Sequence, residues 1–137
     1  MSTRVLIADD HPVVRRGVRA LLTSREDYEV VAEARNGREA VDLARSHMPT
    51  VILMDPSMPE LNGADAATRI RSECPGAVVV ALSMHSDTQY VLRMLAAGAS
   101  GYLLKTCDVE ELLHAIEVAC KGGMYLTPEV ASEVVDC

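Results

Sequence analysis

The chain has 137 residues, 49% of them hydrophobic, and a net charge of −7. That fits one globular domain with a real core and excludes a disordered chain. The acidic balance argues against nucleic-acid binding through a basic face of this segment, because phosphate contacts need clustered Lys and Arg. The aromatic residues are four tyrosines and nothing else, so the core has to be aliphatic.

Five short apolar runs recur: VLIA (5–8), VVAEA (30–34), TVILM (50–54), AVVVALS (77–83) and GYLL (101–104). Most are β-branched with little apolar/polar alternation, the pattern of strands buried on both faces of a parallel sheet. Helical patterns lie between them. Val14, Val18, Leu21 and Leu22 form one apolar stripe, and Val109, Leu112, Leu113 and Ile116 form another after Asp108, a plausible N-cap. Residues 37–47, 64–73 and 87–97 supply the other three helices. Turn residues separate the elements: Asn36-Gly37, Pro49, Asn62-Gly63, Pro75-Gly76, and Gly98 with Gly101. The alternation predicts an α/β domain with a parallel sheet and helices on both faces.

The domain is expected to end near Lys121. In MYLTPEVASEVVDC, Thr127 as N-cap and Pro128 at the first helical position would start a further helix. A simple C-terminal helix and a linker cut before a second domain both fit. At the other end, the four-residue apolar run VLIA is too short for a signal peptide or a membrane span, so a cytoplasmic protein is expected. Cys74, Cys107, Cys120 and Cys137 make no CxxC clip and no zinc-finger spacing with a His, and read as scattered cytosolic thiols.

Open parallel α/β sheets bind ligands at the carboxyl ends of their strands, near a topological switch point. Asp9 and Asp10 follow strand 1, Asp55 follows strand 3, Ser83 ends strand 4 and Lys105 follows strand 5. Three clustered carboxylates stay ionised together only if a cation neutralises them, and hard oxygen donors suit Mg²⁺. A carboxylate can act as a nucleophile toward phosphorus, with a metal, Lys105 and hydroxyl or backbone donors neutralising the transferred group. No glycine-rich phosphate loop is present, and no Ser or Cys is paired with a His at a strand-to-helix elbow. Taken singly, each residue has a plainer role: Asp10 and Ser83 as helix caps, Lys105 as a solvated lysine, His11 and His85 as loop or rim residues. Met54, Met58, Met84 and Met94 read as core filling.

VLIADDHPVVRRGVRALL, VILMDPSMPELNG, VVALSMHS and GASGYLLK together resemble the receiver domain of two-component response regulators, closest to the subfamily with LuxR-type helix-turn-helix outputs. The resemblance runs from residue 4 to about 121, with every motif in order. It implies a (βα)5 flavodoxin-like, doubly wound sheet of strand order 2-1-3-4-5. It makes Asp55 the phospho-acceptor, Asp9 and Asp10 the acidic pair holding Mg²⁺ with Asp55 and the backbone carbonyl of Ser57, and Lys105 the phosphoryl contact. Ser83 and Tyr102 match the switch pair, which would reorient toward the phosphoryl group and inward. Ser57 and His85 match the positions that tune dephosphorylation.

The implied donor is a phospho-histidine on a sensor histidine kinase. Homodimerisation on phosphorylation is left open, and no membrane contact is expected. Residues 122–137, including KGGMYLTPEVASEVV, look like a linker or the start of an extra helix toward an output domain, through which alone DNA would be contacted. Two residues depart from the pattern. Pro56 has no N–H to offer the phosphoryl group, which implies weaker or less stable phosphorylation, and Thr106 stands where many receivers have a proline. A stand-alone receiver in a phosphorelay is the alternative function. A phosphatase with an aspartyl-phosphate intermediate would want a second Asp at position 57, which is Ser.

Overall fold

A computed structural model describes residues 2–135. It consists of β1 (Thr3–Ala8), α1 (Pro12–Thr23), β2 (Tyr28–Ala34), α2 (Gly37–His47), β3 (Val51–Met54), α3 (Gly63–Glu73), β4 (Val78–Ser83), α4 (Thr88–Ala96), β5 (Gly101–Leu104), α5 (Val109–Cys120), β6 (Tyr125–Leu126) and α6 (Pro128–Val135). The strands form one parallel sheet in the order β2-β1-β3-β4-β5-β6. The first five follow the flavodoxin-like order implied by the sequence.

The strands read as continuous apolar runs because both faces of the sheet are covered. On one face Val5, Ile7, Val51, Leu53, Val80, Leu82 and Leu103 pack with Val18 and Leu22 of α1 and Leu112, Ala115, Ile116 and Ala119 of α5. The alternate residues Leu6, Ala8, Ile52, Met54, Val79, Ala81 and Tyr102 face the other way, onto Ala40, Val41 and Ala44 of α2, Ala66 and Ile70 of α3, and Val91 and Met94 of α4. The period of two along each strand thus sorts the side chains between two layers of helix.

Helix starts are fixed locally. Asn36 accepts a hydrogen bond from the Glu39 N–H, Asn62 from that of Asp65, and Asp108 from that of Glu111, each satisfying one of the orphan donors of a helix N-terminus. Three chain segments depart from the sequence expectation. Residues 122–135 hold the helix expected from Thr127 and Pro128, as α6, and also a strand that was not expected: Tyr125 and Thr127 donate their N–H groups to the carbonyls of Ser100 and Tyr102, which makes β6 a sixth strand on the edge of β5. The Tyr125 and Thr127 hydroxyls both donate to Glu111 Oε2, at 2.7 Å each. Val130 of α6 is fully buried in the α2–α3–α4 layer. Val130→Ala, which deletes two buried carbons at about 0.8 kcal/mol each, is therefore expected to cost about 1.5 kcal/mol. Urea denaturation of the two chains checks this, and an unchanged midpoint would mean that α6 does not dock in solution. The second departure is Met84, which is 64% exposed, whereas Met54, Met58 and Met94 fill the core as expected. The third concerns the caps. His11 and Asp87 occupy the N-cap positions of α1 and α4, so neither Asp10 nor Ser83 caps a helix.

Cys74, Cys107 and Cys120 are free thiols, with burial pushing those of Cys107 and Cys120 upward, Cys107 to about 11. Cys137 lies outside the described residues.

Candidate functional site at the carboxyl edge of the sheet

The switch point falls between β1 and β3, the central pair from which the chain winds outward in both directions. Ala8 and Met54 are register partners, so the next residues, Asp9 and Asp55, leave the sheet side by side. The Asp55 N–H donates to the Ala8 carbonyl at 2.9 Å and the Asp9 N–H to Ala34 at 3.0 Å. These ladder bonds carry both residues one step past the strands, with Asp9 and Asp55 both buried.

Two buried carboxylates need a counter-charge, and β5 supplies it. The Lys105 N–H donates to the Ser83 carbonyl, extending the β4–β5 ladder. Its side chain, only 5% exposed, sets Nζ 2.7 Å from Asp9 Oδ2 and 3.0 Å from Asp55 Oδ2. Lys105 is therefore a buried bridge and not a solvated lysine. Burial pushes the Lys105 ammonium down, but its hydrogen bonds to Asp9 and Asp55 outweigh this and raise it above the ordinary lysine value. Burial pushes Asp55 up, yet the Ser57 N–H and the Lys105 ammonium outweigh that and hold it below the ordinary carboxylate value. The Ser57 N–H and hydroxyl both donate to Asp55 Oδ1, at 3.0 Å each. Pro56 is buried between them and cannot donate, so the first backbone donor after Asp55 is Ser57.

The remaining candidate residues gather on the β4–β5 side. Ser83 is fully buried and its hydroxyl oxygen accepts the His85 N–H at 2.9 Å. Tyr102 is fully buried, already turned inward, with its hydroxyl donating to the His85 carbonyl at 2.7 Å. Burial pushes its phenol up to about 12. The His85 ring stacks on Tyr90, centroids 4.5 Å apart.

His11 is an exposed loop residue, as expected, but its ring does more than line the rim. Its N–H donates to Asp9 Oδ1 at 2.8 Å, and its ring turns back so that Nδ1 lies 3.0 Å from Asp9 Oδ1, 3.2 Å from Asp10 Oδ1 and 3.8 Å from Asp55 Oδ2. The sequence signal was there, a His directly after the acidic pair. The fold of the ring over that pair depends on backbone geometry that spacing does not convey. Arg15 adds a further tie, donating to the Asp9 carbonyl at 2.7 Å.

Asp9, Asp10, His11 and Asp55 each offer one ligand atom, and these atoms lie within 4.8 Å of one another. Asp10 Oδ1 is shielded from solvent and takes no hydrogen bond; its approach to His11 Nδ1 is close in distance but lacks hydrogen-bond geometry. A shielded, unpartnered carboxylate oxygen beside two buried carboxylates is a donor set that fits a hard divalent cation. No helix among the described residues is long and apolar enough to cross a membrane.

Comparison with known proteins agrees with this geometry. The family model of the response regulator receiver domain matches residues 5–117. The transcriptional regulatory protein DegU of Brevibacillus brevis is 40% identical over 132 residues, which cover 96% of this chain and 56% of that protein. The chain thus spans little more than half the length of that relative. A LuxR-family two-component response regulator from Aurantimonas sp. SI85-9A1 matches in structure with a TM-score of 0.92 at 37% identity, over 99% of this chain and 97% of that one. A structure of two RcsB dimers bound to two parallel DNAs matches with a TM-score of 0.87 at 25% identity, over 98% of this chain and 69% of that one. With the sheet order, the paired acidic strand ends and the buried lysine in place, the chain belongs to the response regulator receiver domains, on the LuxR-type branch of that family.

Proposed function

We propose that this domain takes a phosphoryl group from a phospho-histidine of a sensor histidine kinase onto Asp55, and that this switches a DNA-binding, transcription-regulating output. The observation that carries the proposal is the Asp55 carboxylate, buried at the switch point yet kept ionised by Lys105 and Ser57. An ionised, desolvated carboxylate is a competent nucleophile.

In the transfer, a carboxylate oxygen of Asp55 forms a bond to phosphorus while the P–N bond to the donor imidazole breaks, and the electron pair leaves with that nitrogen. Lys105, already 3.0 Å from Asp55 Oδ2, neutralises charge on the phosphoryl oxygens. When bound, Mg²⁺ held by Asp9, Asp10, Asp55 and the Ser57 carbonyl supplies further neutralisation of those oxygens. Pro56 withholds one backbone donor, so the adduct is expected to be shorter-lived than in a relative with an N–H there. Ser83 and Tyr102 lie next along β4 and β5 to respond to the new group, with Ser57 and His85 as the residues that set how fast it is lost. The transcriptional name of the DegU relative and the DNA-bound RcsB dimers support a transcriptional output that works as a dimer; dimerisation on phosphorylation, a cytoplasmic location and a path from residues 122–137 toward that output complete the proposal.

The test is direct. The domain is incubated with Mg²⁺ and acetyl phosphate or phosphoramidate, and its intact mass is measured. One added phosphoryl group is expected, absent in Asp55→Asn. A wild-type chain that gains no mass would refute the proposal.

A further inference from the structure

Phosphoryl transfer as described employs three carboxylates and Lys105, and leaves unused a second side chain lying among them, that of His11. His11 occupies the N-cap position of α1, but its ring makes no cap hydrogen bond. Its backbone is tied instead to the acidic cluster through the 2.8 Å bond from its N–H to Asp9 Oδ1, and Pro12 fixes the turn that follows. Nδ1 then stands 3.0, 3.2 and 3.8 Å from one oxygen each of Asp9, Asp10 and Asp55, the first of these a hydrogen bond that a bound cation would replace.

These separations match donors around one ion. With metal–ligand bonds of about 2.0–2.2 Å, neighbouring ligand atoms stand about 3 Å apart in octahedral geometry and about 3.4 Å apart in tetrahedral geometry. The Asp10 Oδ1 atom nearest Nδ1 is shielded and receives no hydrogen bond, so its lone pairs are not taken up by any donor among the described residues. Lys105 approaches Asp9 from the other side, through Oδ2, and leaves the Oδ1 side to His11. A nitrogen donor changes what the site prefers. Mg²⁺ takes oxygen ligands and favours imidazole little, whereas first-row transition dications bind imidazole well.

Building on the cation site inferred above, we propose that His11 Nδ1 is a fourth protein ligand, and that the centre therefore takes a first-row transition dication in preference to Mg²⁺. The side chain is 58% exposed, so it can be replaced without opening the core.

Co²⁺ is a suitable probe, because thiolate ligation by the free cysteines would announce itself as an intense charge-transfer band, distinct from the weak bands of a nitrogen–oxygen site. Wild type and His11→Ala are titrated with Co²⁺ and with Mg²⁺, and X-ray absorption of the Co²⁺ forms is recorded. The wild type is expected to bind one Co²⁺ with the outer-shell scattering of an imidazole ring. In His11→Ala that scattering disappears, and the Co²⁺-over-Mg²⁺ affinity ratio falls by about tenfold or more, since even outer-shell partners of metal ligands are worth 10–100-fold. Co²⁺ bound without imidazole scattering, a ratio that His11→Ala leaves unchanged, or Mg²⁺ bound with no Co²⁺ uptake would each overturn ligation by His11 while leaving the carboxylate site standing. A wild type that binds neither ion would instead remove the cation site itself.

Discussion

Lys105→Met is expected to cost the domain about 3–5 kcal/mol at neutral pH in metal-free buffer, the usual penalty for removing one partner of a buried ion pair. The lysine sits 5% exposed between carboxylates that are themselves 3% and 1% exposed, so no water replaces it easily. The pH dependence is more telling than the magnitude. Asp55 is held below the ordinary carboxylate value, burial being outweighed by Ser57 and Lys105. Its contribution is therefore complete above the unfolded value of about 3.9 and is lost as the pH falls through the lower folded value. Lys105 is held above its ordinary value, burial being outweighed by Asp9 and Asp55. Its contribution is complete below about 10.4 and is lost as the pH rises through the higher folded value.

Without the ammonium, Asp55 retains its burial and faces in Asp9 a carboxylate no longer neutralised by the lysine between them. Both push its protonation upward. The variant is then stabilised by taking up a proton, and its deficit against the wild type is expected to shrink between pH 7 and pH 4. Urea unfolding of both chains at the two pH values measures this. An equal deficit at both would show that Lys105 acts by packing alone. Phosphorylation of the variant by acetyl phosphate is expected to fall in parallel, because the same ammonium meets the phosphoryl oxygens.

Gly37→Ala is the second large effect, expected to cost about 3 kcal/mol or more, the upper range for overpacking. Gly37 opens α2 where that helix meets the loop after β3. A Cβ at this position would overlap the Leu61 carbonyl oxygen and stand 2.6 Å from its carbon and 2.9 Å from Leu61 Cβ. Backbone atoms cannot rotate out of the way as a side chain can, so either α2 or residues 59–62 must move. Gly63 is under the same constraint from the other side, its Cβ position lying 2.5 Å from both the Asp55 carbonyl oxygen and Pro56 Cα. Gly17 is the internal control. It lies inside α1 with nothing within 4 Å of a Cβ, so Gly17→Ala is expected to stabilise by about 0.5–1 kcal/mol through helix propensity alone. Denaturant midpoints moving in opposite directions would separate close approach from propensity. Two midpoints moving the same way would contradict the packing account.

The contrast between these glycines marks what a sequence carries. The five apolar runs located β1 to β5, because double-sided burial leaves a one-dimensional trace. Asn36, Asn62 and Asp108 located helix starts, because capping is a local hydrogen bond. The positions of Asp9, Asp55, Ser83 and Lys105 at strand ends followed once the strands were placed. What was not legible depends on contacts between distant segments. Tyr125–Leu126 is two residues long and has no pattern of its own; it is a strand only because β5 offers an edge. Met84 and Met94 look alike in the chain, yet one is 64% exposed and the other fully buried. The His11 ring takes its direction from how α1 leaves β1, which no spacing rule encodes.

The docking of residues 122–135 bears on where this chain can safely be divided. A cut after Lys121 would keep every candidate site residue and the family match through residue 117. It would also strip the partners from the Ser100 and Tyr102 carbonyls, which β6 now occupies, and uncover the apolar layer that Val130 seals. A bare parallel strand edge beside an open apolar face is a template for pairing between copies. A fragment trimmed there would be prone to self-association arising from the cut, and any dimer seen in it would say nothing about signalling.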